Sequence, residues 1–294
     1  MYTSYKKEER DMEFTKVGNT QMVLLALGAL LFLVVPLVIA IVWTVKKKEK
    51  FTTVLVGAAT FLLFAVILEK PIQNILVFPV QMGLPEHAAA KFINARPVLW
   101  ALIVGLFPGV FEETGRLAAF KTVLKNRKNR ETSISYGIGH GGFEVMLILG
   151  ITCITYIAYS AMINAGTFGD LIAKIAAQAP DQTEQGYAIA AQLAAFSAGN
   201  LVISIVERIF AVLYHIGASI LVFYACRDKE RFWLYPLAIL LHTALDAAAG
   251  LQMTGAIALS PVMMEVITAI FGSAVFFGAY FLLYKKDVNS EGGV

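Results

Sequence analysis

Residues 21–45 read QMVLLALGALLFLVVPLVIAIVWTV, a stretch without a single charged side chain. At a rise of 1.5 Å per residue, a helix of this length crosses the roughly 30 Å hydrocarbon core of a bilayer. The stretch is longer than the apolar core of a signal peptide, and Lys46, Lys47 and Lys48 follow it directly. It therefore predicts a transmembrane helix that the mature chain retains.

Comparable apolar stretches recur along the whole chain. Hydrophobic residues make up 58% of the 294 residues and charged residues 15%, whereas soluble domains contain about 25% charged residues. We therefore predict an all-α fold, a polytopic membrane helical bundle that is integral to the cell membrane. The predicted spans are 21–45, 51–69, 97–124, 134–162, 197–225, 232–250 and 258–284.

The apolar stretches leave a charged N-terminal tail at residues 1–20 and a C-terminal tail at residues 287–294. Between the tails we expect a single transmembrane domain, 21–286, whose functional core is about 97–250. Most of the 24 lysine and arginine residues follow the first, third, fifth or seventh span, which predicts an external N-terminus and a cytosolic C-terminus. Because the basic clusters are short and flank apolar stretches, the expected partner is the lipid bilayer and not nucleic acid.

Two long connections carry patterns of their own. Residues 70–96 contain three prolines among apolar residues, which favours a segment that lies at the membrane interface or re-enters the membrane. Residues 165–196 contain two apolar stretches separated by Ala179-Pro180-Asp181, which favours two short helices on the membrane surface. Ordinary loops are the alternative for both connections.

Several predicted spans contain ionisable side chains. At the centre of a bilayer each one costs at least ~2.5–3.5 kcal/mol on insertion scales, so such residues are rare and mostly functional. Spans three to six contain Glu112, Glu113, Arg116, His140, Glu144, Glu207, Arg208, His215, His242 and Asp246.

Four of these side chains lie at a similar depth. Glu112, His140, His215 and His242 are each roughly 15–20 Å along their helix from a basic cluster, at 1.5 Å per residue. They belong to four different helices, and independent accidents would not place them in one layer. We therefore expect them to converge on one site.

Helical spacing adds further polar groups to this layer. Residues four apart share a helix face and can interact. The pairs spaced by four residues are Glu112/Arg116, His140/Glu144 and His242/Asp246.

Glycines at 137, 139, 141 and 142 surround His140. They would let other backbones approach closely, although simple packing is an alternative.

The same residues also have structural interpretations. The glutamate pair with its arginine could be an ion pair that locks two helices, and each histidine–carboxylate pair could be an interhelical hydrogen bond. For Glu207 and Arg208, a supporting structural role is favoured. Three histidines and several carboxylates in one layer exceed what a structural pair needs, so a functional site is the better interpretation.

A carboxylate beside histidines can perform hydrolytic chemistry in a cavity that water reaches. The carboxylate acts as a general base, while a histidine stabilises the oxyanion or protonates a leaving amine, and no cofactor is required. Zinc is the alternative, because three protein ligands hold a catalytic zinc ion, and His140, His215 and His242 could serve. No His-Glu-x-x-His motif is present. Both mechanisms stay open on the residues alone.

Short motifs resemble those of a known group of membrane proteases. FEETGR at 111–116 is similar to the opening glutamate motif of the CAAX-processing and bacteriocin-processing proteases, and HTALD at 242–246 resembles their closing motif. YGIGH at 136–140 is close to their Phe-x-x-x-His motif. With GHGGFE at 139–144, the combination most resembles the YhfC-type branch of the intramembrane proteases. PrsW-type proteases and the APH subunit of γ-secretase are more distant relatives.

This resemblance implies an intramembrane endopeptidase that acts on a membrane-anchored peptide or protein. One glutamate of the opening motif would activate water, histidines from later helices would stabilise the transition state, Arg116 would anchor the glutamates, and Asp246 would orient a histidine. The residues implied in catalysis are Glu112, Glu113, His140, His215, His242 and Asp246. The residues expected to support them are Arg116, Glu144, Glu207 and Arg208.

The chain departs from the CAAX pattern in two respects. Two residues separate the glutamate pair from Arg116 where the CAAX enzymes have three, which leaves open whether Glu112 or Glu113 is the base. Glu144 and His215 have no counterpart in that pattern. Two other classes also remain: a proton-coupled transporter, which would normally carry an internal repeat, and a non-catalytic membrane scaffold.

Overall fold

The computed structural model describes residues 14–178 and 183–287, and within these ranges the regular elements are all helices. The all-α fold predicted from the sequence is therefore confirmed. Seven of the helices are long and apolar enough to cross a membrane. Spans one to seven are, in order, Asn19–Lys47, Phe51–Val77, Pro97–Lys121, Glu131–Asn164, Ala198–Arg227, Lys229–Met253 and Pro261–Tyr284.

The second span is longer than the sequence predicts. It was expected to end at residue 69, before Lys70 and Pro71, but the helix continues to Val77. A wide π-helical turn, Leu62–Glu69, precedes the proline. Because Pro71 has no amide hydrogen, the ordinary helical ladder cannot run through it unchanged, and a π-helical turn is one way to absorb such a break.

The two long connections contain short helices. Residues 70–96 complete the second span and then form Pro79–Met82 and Ala88–Asn94. Residues 165–196 form Phe168–Gln178 and Thr183–Ala194, as the two apolar stretches predict. The predicted break at Ala179-Pro180-Asp181 lies outside the described residues.

The chain divides into two compact units. Of the described residues, the first comprises those up to Val35 and those within Met146–Ser204, and its buried core includes Leu25, Phe168 and Leu193. The second comprises Pro36–Val145 and the described residues from Ile205 onward, and it contains every candidate site residue named above. The single domain expected at 21–286 stays a prediction.

Glycines bring the helices of the second unit close together. A Cβ atom at Gly109 of span three would lie 2.9 Å from the carbonyl oxygen of Ile239 in span six, and a Cβ atom at Gly137 of span four would lie 2.6 Å from Ile216 Cα in span five. A side chain at either position would force the helices apart. The glycines beside His140 therefore permit close backbone approach, which brings the side chains of neighbouring spans within contact distance.

A proline shapes span three one turn before the glutamate pair. Pro108 has no amide hydrogen, so the Val104 carbonyl four residues earlier loses its helical partner. Gln73 of span two donates to this carbonyl through Nε2, at 3.2 Å. The side chain of span two thus replaces the missing helical bond, and the helix continues to Lys121.

Candidate active site

One carboxylate oxygen lies among histidines from three other helices. Glu112 Oε2 is 2.8 Å from His140 Nε2 and 4.0 Å from both His215 Nδ1 and His242 Nε2. Arg116 Nη2 is 3.9 Å from the same oxygen. The four residues expected to share one layer are therefore in direct reach of one another.

The neighbouring glutamate has a different environment. Glu113 is fully buried, forms a short ion pair with Arg116, and accepts a hydrogen bond of 2.8 Å from His242 Nδ1. An ionised carboxylate can only accept, so the His242 ring carries a proton on Nδ1. Its Nε2 faces Glu112 Oε2, 4.0 Å away. A carboxylate that fixes the tautomer of a site histidine in this way is a common supporting arrangement.

His215 is held from both sides. Its Nδ1 lies 2.7 Å from Arg116 Nη2, and because a guanidinium can only donate, Nδ1 is the acceptor. Its Nε2 lies 2.5 Å from Glu144 Oε2. Arg208 donates to Glu144 Oε1 at 3.0 Å and pairs closely with Glu207. These contacts fix the orientation of the imidazole ring.

Arg116 connects the two glutamates to span five. Its guanidinium is fully buried and contacts Glu112, Glu113 and His215, while its Nε donates to Ser219 Oγ at 3.3 Å. The four-residue spacing predicts a partner for Glu112, yet the shorter contact is to Glu113, three residues away. The arginine therefore serves both carboxylates, as an anchor for the pair.

A cavity of about 150 Å³ opens beside these groups. Glu112, His215 and His242 line it, together with Glu144, Glu207, Arg208 and Asp246, whereas Glu113 and His140 do not. Side-chain exposure rises from 0% at Glu113 and 8% at Glu112 to 37% at Asp246. The site is thus closed at Glu113 and open at Asp246, and Glu112 lies between these two ends.

The structure thus brings together all ten residues that the sequence singled out. One difference from the prediction is the carboxylate that contacts His242 most closely. Asp246 was expected to orient a histidine, and its Oδ2 is 3.6 Å from His242 Nε2. The shorter contact to the ring is from Glu113. The main support for His242 therefore comes from the neighbouring helix, because the close packing of spans three and six places Glu113 beside it.

Sequence reasoning missed three residues near the site. Ser219 is four residues from His215, so helical spacing could have found it. Tyr214 packs edge-on against the His242 ring, at 5.2 Å between centroids. Glu69, at the predicted end of span two, is fully buried and interacts electrostatically with Glu112. The adjacent Glu69 and Lys70 resemble the charged end of a helix, so the sequence did not indicate a buried carboxylate at this position.

The donor atoms suit a divalent metal ion. One ligand atom each from Glu112, His140 and His215 lies within 4.8 Å of the others, and all three residues are buried. His140 Nδ1 has no hydrogen-bond partner among the described residues. Two histidines and a glutamate form a known catalytic zinc set. This set differs from the three histidines that the sequence suggested, since Glu112 replaces His242, and Arg116 competes for His215 Nδ1.

Fold and site together define a polytopic membrane protein with a buried carboxylate–imidazole centre that could hold a metal ion. The family model described as YhfC intramembrane metalloprotease matches residues 21–268, and the chain belongs to this family. The resemblance inferred from the motifs is therefore confirmed.

A relative with the same family name supports this membership. The chain is 28% identical over 272 residues to the "Uncharacterized membrane protein YhfC" of Bacillus subtilis (strain 168), which covers 92% of this chain and 99% of the relative. No solved structure matches the chain significantly.

Proposed function

We propose that this protein is an intramembrane protease that hydrolyses a peptide bond of a membrane-anchored substrate. The observation that carries the proposal is the position of Glu112 Oε2, among three imidazole rings and beside a cavity inside the transmembrane bundle. A structural ion pair requires no cavity at its carboxylate, and membership of a family described as metalloproteases agrees with a hydrolytic role.

In the proposed mechanism Glu112 is the general base. It lines the cavity, whereas Glu113 is committed to Arg116 and His242 and has no exposed surface. Glu112 accepts a proton from water as the water oxygen attacks the peptide carbonyl. As the carbon–nitrogen bond breaks, the same carboxyl group donates that proton to the leaving amine.

His242 stabilises the charge that develops on the carbonyl oxygen by donating a hydrogen bond from Nε2, which carries a proton when the ring is an imidazolium. His215 and His242 line the cavity, and His140 holds Glu112 from behind through a 2.8 Å contact. In a site from which water is largely excluded, such fixed polar groups contribute more than they would in water. Glu113 and Glu144 act on catalysis indirectly, since each fixes the orientation of one imidazole ring.

A bound metal ion would be an alternative source of activation, because Glu112 would then be one of its ligands and not the base. The residues that would hold it are Glu112, His140 and His215, and a bound zinc ion would supply Lewis-acid chemistry at the reacting carbonyl. The remaining groups keep their roles, because Glu113 holds His242 and Arg208 holds Glu144 whether or not the ion is bound.

The position of the site along the helices suggests where the substrate is cut. Glu112, His140, His215 and His242 lie about 8 to 12 residues from the helix ends next to the basic clusters, or about 12–18 Å. With the predicted orientation, these ends are cytosolic. We therefore propose cleavage on the cytosolic side of mid-membrane.

The test uses the purified full-length chain, reconstituted in liposomes with a library of membrane-anchored peptides. We expect cleavage by the wild-type protein and none by Glu112→Gln. Activity that survives a chelator assigns water activation to Glu112 alone, and activity that is lost and then restored by zinc assigns the Glu112, His140 and His215 set to the metal. Proton flux without cleavage of any peptide would contradict the proposal and favour a transporter.

A further inference from the structure

We propose that a crevice between spans five, six and seven binds three to four apolar residues of the substrate, on the side of the scissile bond toward the basic helix ends. This inference rests on the proposed function and specifies the substrate class of the same site. The crevice, defined here by Leu221, Leu237, Leu241, Phe271 and Gly278, is a cavity of about 400 Å³. This volume falls in the range of about 300–1,000 Å³ that is typical of ligand sites.

The lining of the crevice selects for an apolar occupant. Twelve side chains from spans five, six and seven contribute, and each belongs to leucine, valine, alanine, glycine, phenylalanine or tryptophan. A polar or charged group placed there would lose its hydration without gaining a hydrogen-bond partner, apart from the indole of Trp233. The site thus accepts aliphatic and aromatic side chains and rejects polar ones.

The crevice and the candidate active site are neighbours in the bundle. Leu241 lines the crevice and the next residue, His242, lines the catalytic cavity. Tyr214 of the catalytic cavity packs against Phe271 of the crevice, with 6.3 Å between ring centroids. A peptide whose scissile bond lies at Glu112 would therefore place in the crevice the residues on the side of the basic helix ends. In a substrate with a cytosolic C-terminus, these are the residues that follow the bond.

The outer side of the crevice is open toward the bilayer. Trp233 and Leu282 line it, and their exposed fractions are 60% and 63%. An apolar segment of a membrane-anchored substrate can thus reach the crevice without passing through water. From Leu241 to Trp233 the helix rises about 12 Å, which an extended peptide covers in about three to four residues.

Proximity to the catalytic cavity is the reason to assign the crevice to the substrate and not to a lipid. A lipid acyl chain would satisfy the apolar lining equally well. It would not explain why the inner end of the crevice lies at the residue next to His242.

Gly278 offers a direct test, because no atom lies within 4 Å of the place where its Cβ would be. The Cβ of a phenylalanine at this position meets no neighbour, and we expect its ring to occupy the crevice. Ile270→Phe is the matched control, since Ile270 is on the same helix, is 66% exposed and does not line the crevice. The substrates are membrane-anchored peptides that differ only in three residues after the bond, either Leu-Leu-Leu, Ala-Ala-Ala or Asn-Asn-Asn.

For the wild-type protein and the Ile270→Phe variant we expect kcat/KM for the leucine peptide to exceed that for the asparagine peptide by tenfold or more. The Gly278→Phe variant should lose most of the leucine preference through a higher KM, while it still cleaves the alanine peptide. Equal cleavage of all three peptides by the wild-type protein would overturn the inference. The inference would also be overturned if Gly278→Phe kept the preference for the leucine peptide and lost a phospholipid that co-purifies with the wild-type protein.

A second measurement does not depend on turnover. The second measurement uses the inactive Glu112→Gln protein with both native cysteines replaced by alanine, treated with an added thiol oxidant such as copper phenanthroline. Leu237→Cys should form a disulfide with a cysteine in the apolar segment of a bound peptide, and Ile270→Cys should not. Equal cross-linking at both positions would overturn the crevice assignment. Failure of the proposed function has a different signature, namely that the wild-type protein cleaves no peptide.

Discussion

At the residue scale, the two adjacent glutamates show how helix geometry separates two roles. Neighbouring residues point about 100° apart around a helix. Glu113 is therefore directed into the packed interface with Arg116 and His242, while Glu112 borders the cavity. The sequence predicted that the pair is important, but it could not distinguish the members, because their environments depend on the packing of spans three and six.

The proposed roles predict different losses on conservative substitution. Glu112→Gln removes the base and should lower kcat by about 10²–10⁴-fold, the usual contribution of general base catalysis. Glu113→Gln keeps the shape of the side chain but weakens its hold on His242, and we expect a loss of about 10–100-fold. Single-turnover cleavage in liposomes measures both. The reverse order of the two losses would exchange the assigned roles.

Stability should depend on the Arg116–Glu113 pair. Both groups are fully buried, so Arg116→Met leaves the charge of the Glu113 carboxylate uncompensated. The free energy of unfolding should fall by about 3–5 kcal/mol. Arg116→Met combined with Glu113→Leu removes both charges and should recover most of this free energy. Equilibrium unfolding in detergent measures the variants, with Lys125→Met, the loss of an exposed charge, as a control. A double variant no more stable than Arg116→Met would show that the pair is not the cause.

At the scale of elements, apolar length and the depth of the ionisable residues were enough to predict seven spans and one polar layer. Both follow from helical rise and from the cost of charge in a bilayer, which are local properties. The extension of span two through Pro71 and the buried position of Glu69 could not be predicted. They depend on a π-helical turn and on contacts with another helix, which no local pattern encodes.

The proline in span three provides an element-scale prediction. Gln73→Leu should lower stability by about 1–3 kcal/mol, because the Val104 carbonyl freed by Pro108 then has no side-chain donor. In a Pro108→Ala background the helix amide at 108 can donate to that carbonyl, so Gln73→Leu should have little effect. A double-mutant cycle of unfolding free energies tests the coupling. Equal losses in both backgrounds would contradict it.

At the scale of the whole molecule, the orientation in the membrane follows from lysine and arginine bias. This bias predicts a cytosolic C-terminus after span seven and an external segment between spans four and five. Green fluorescent protein fused to the C-terminus should therefore fluoresce, and alkaline phosphatase fused there should be inactive. Phosphatase fused at Gly166 should be active and serves as the control. The opposite pattern would invert the predicted orientation and move the proposed cleavage to the external side.

The central claim is that Glu112 directs water to a peptide bond inside the membrane. Single-turnover cleavage of a membrane-anchored peptide in water enriched in ¹⁸O tests it most directly. We predict that mass spectrometry finds one ¹⁸O atom in the new C-terminal carboxyl group with the wild-type protein, and no product with Glu112→Gln. A product that forms at the wild-type rate in Glu112→Gln, or a carboxyl group without ¹⁸O, would contradict the claim.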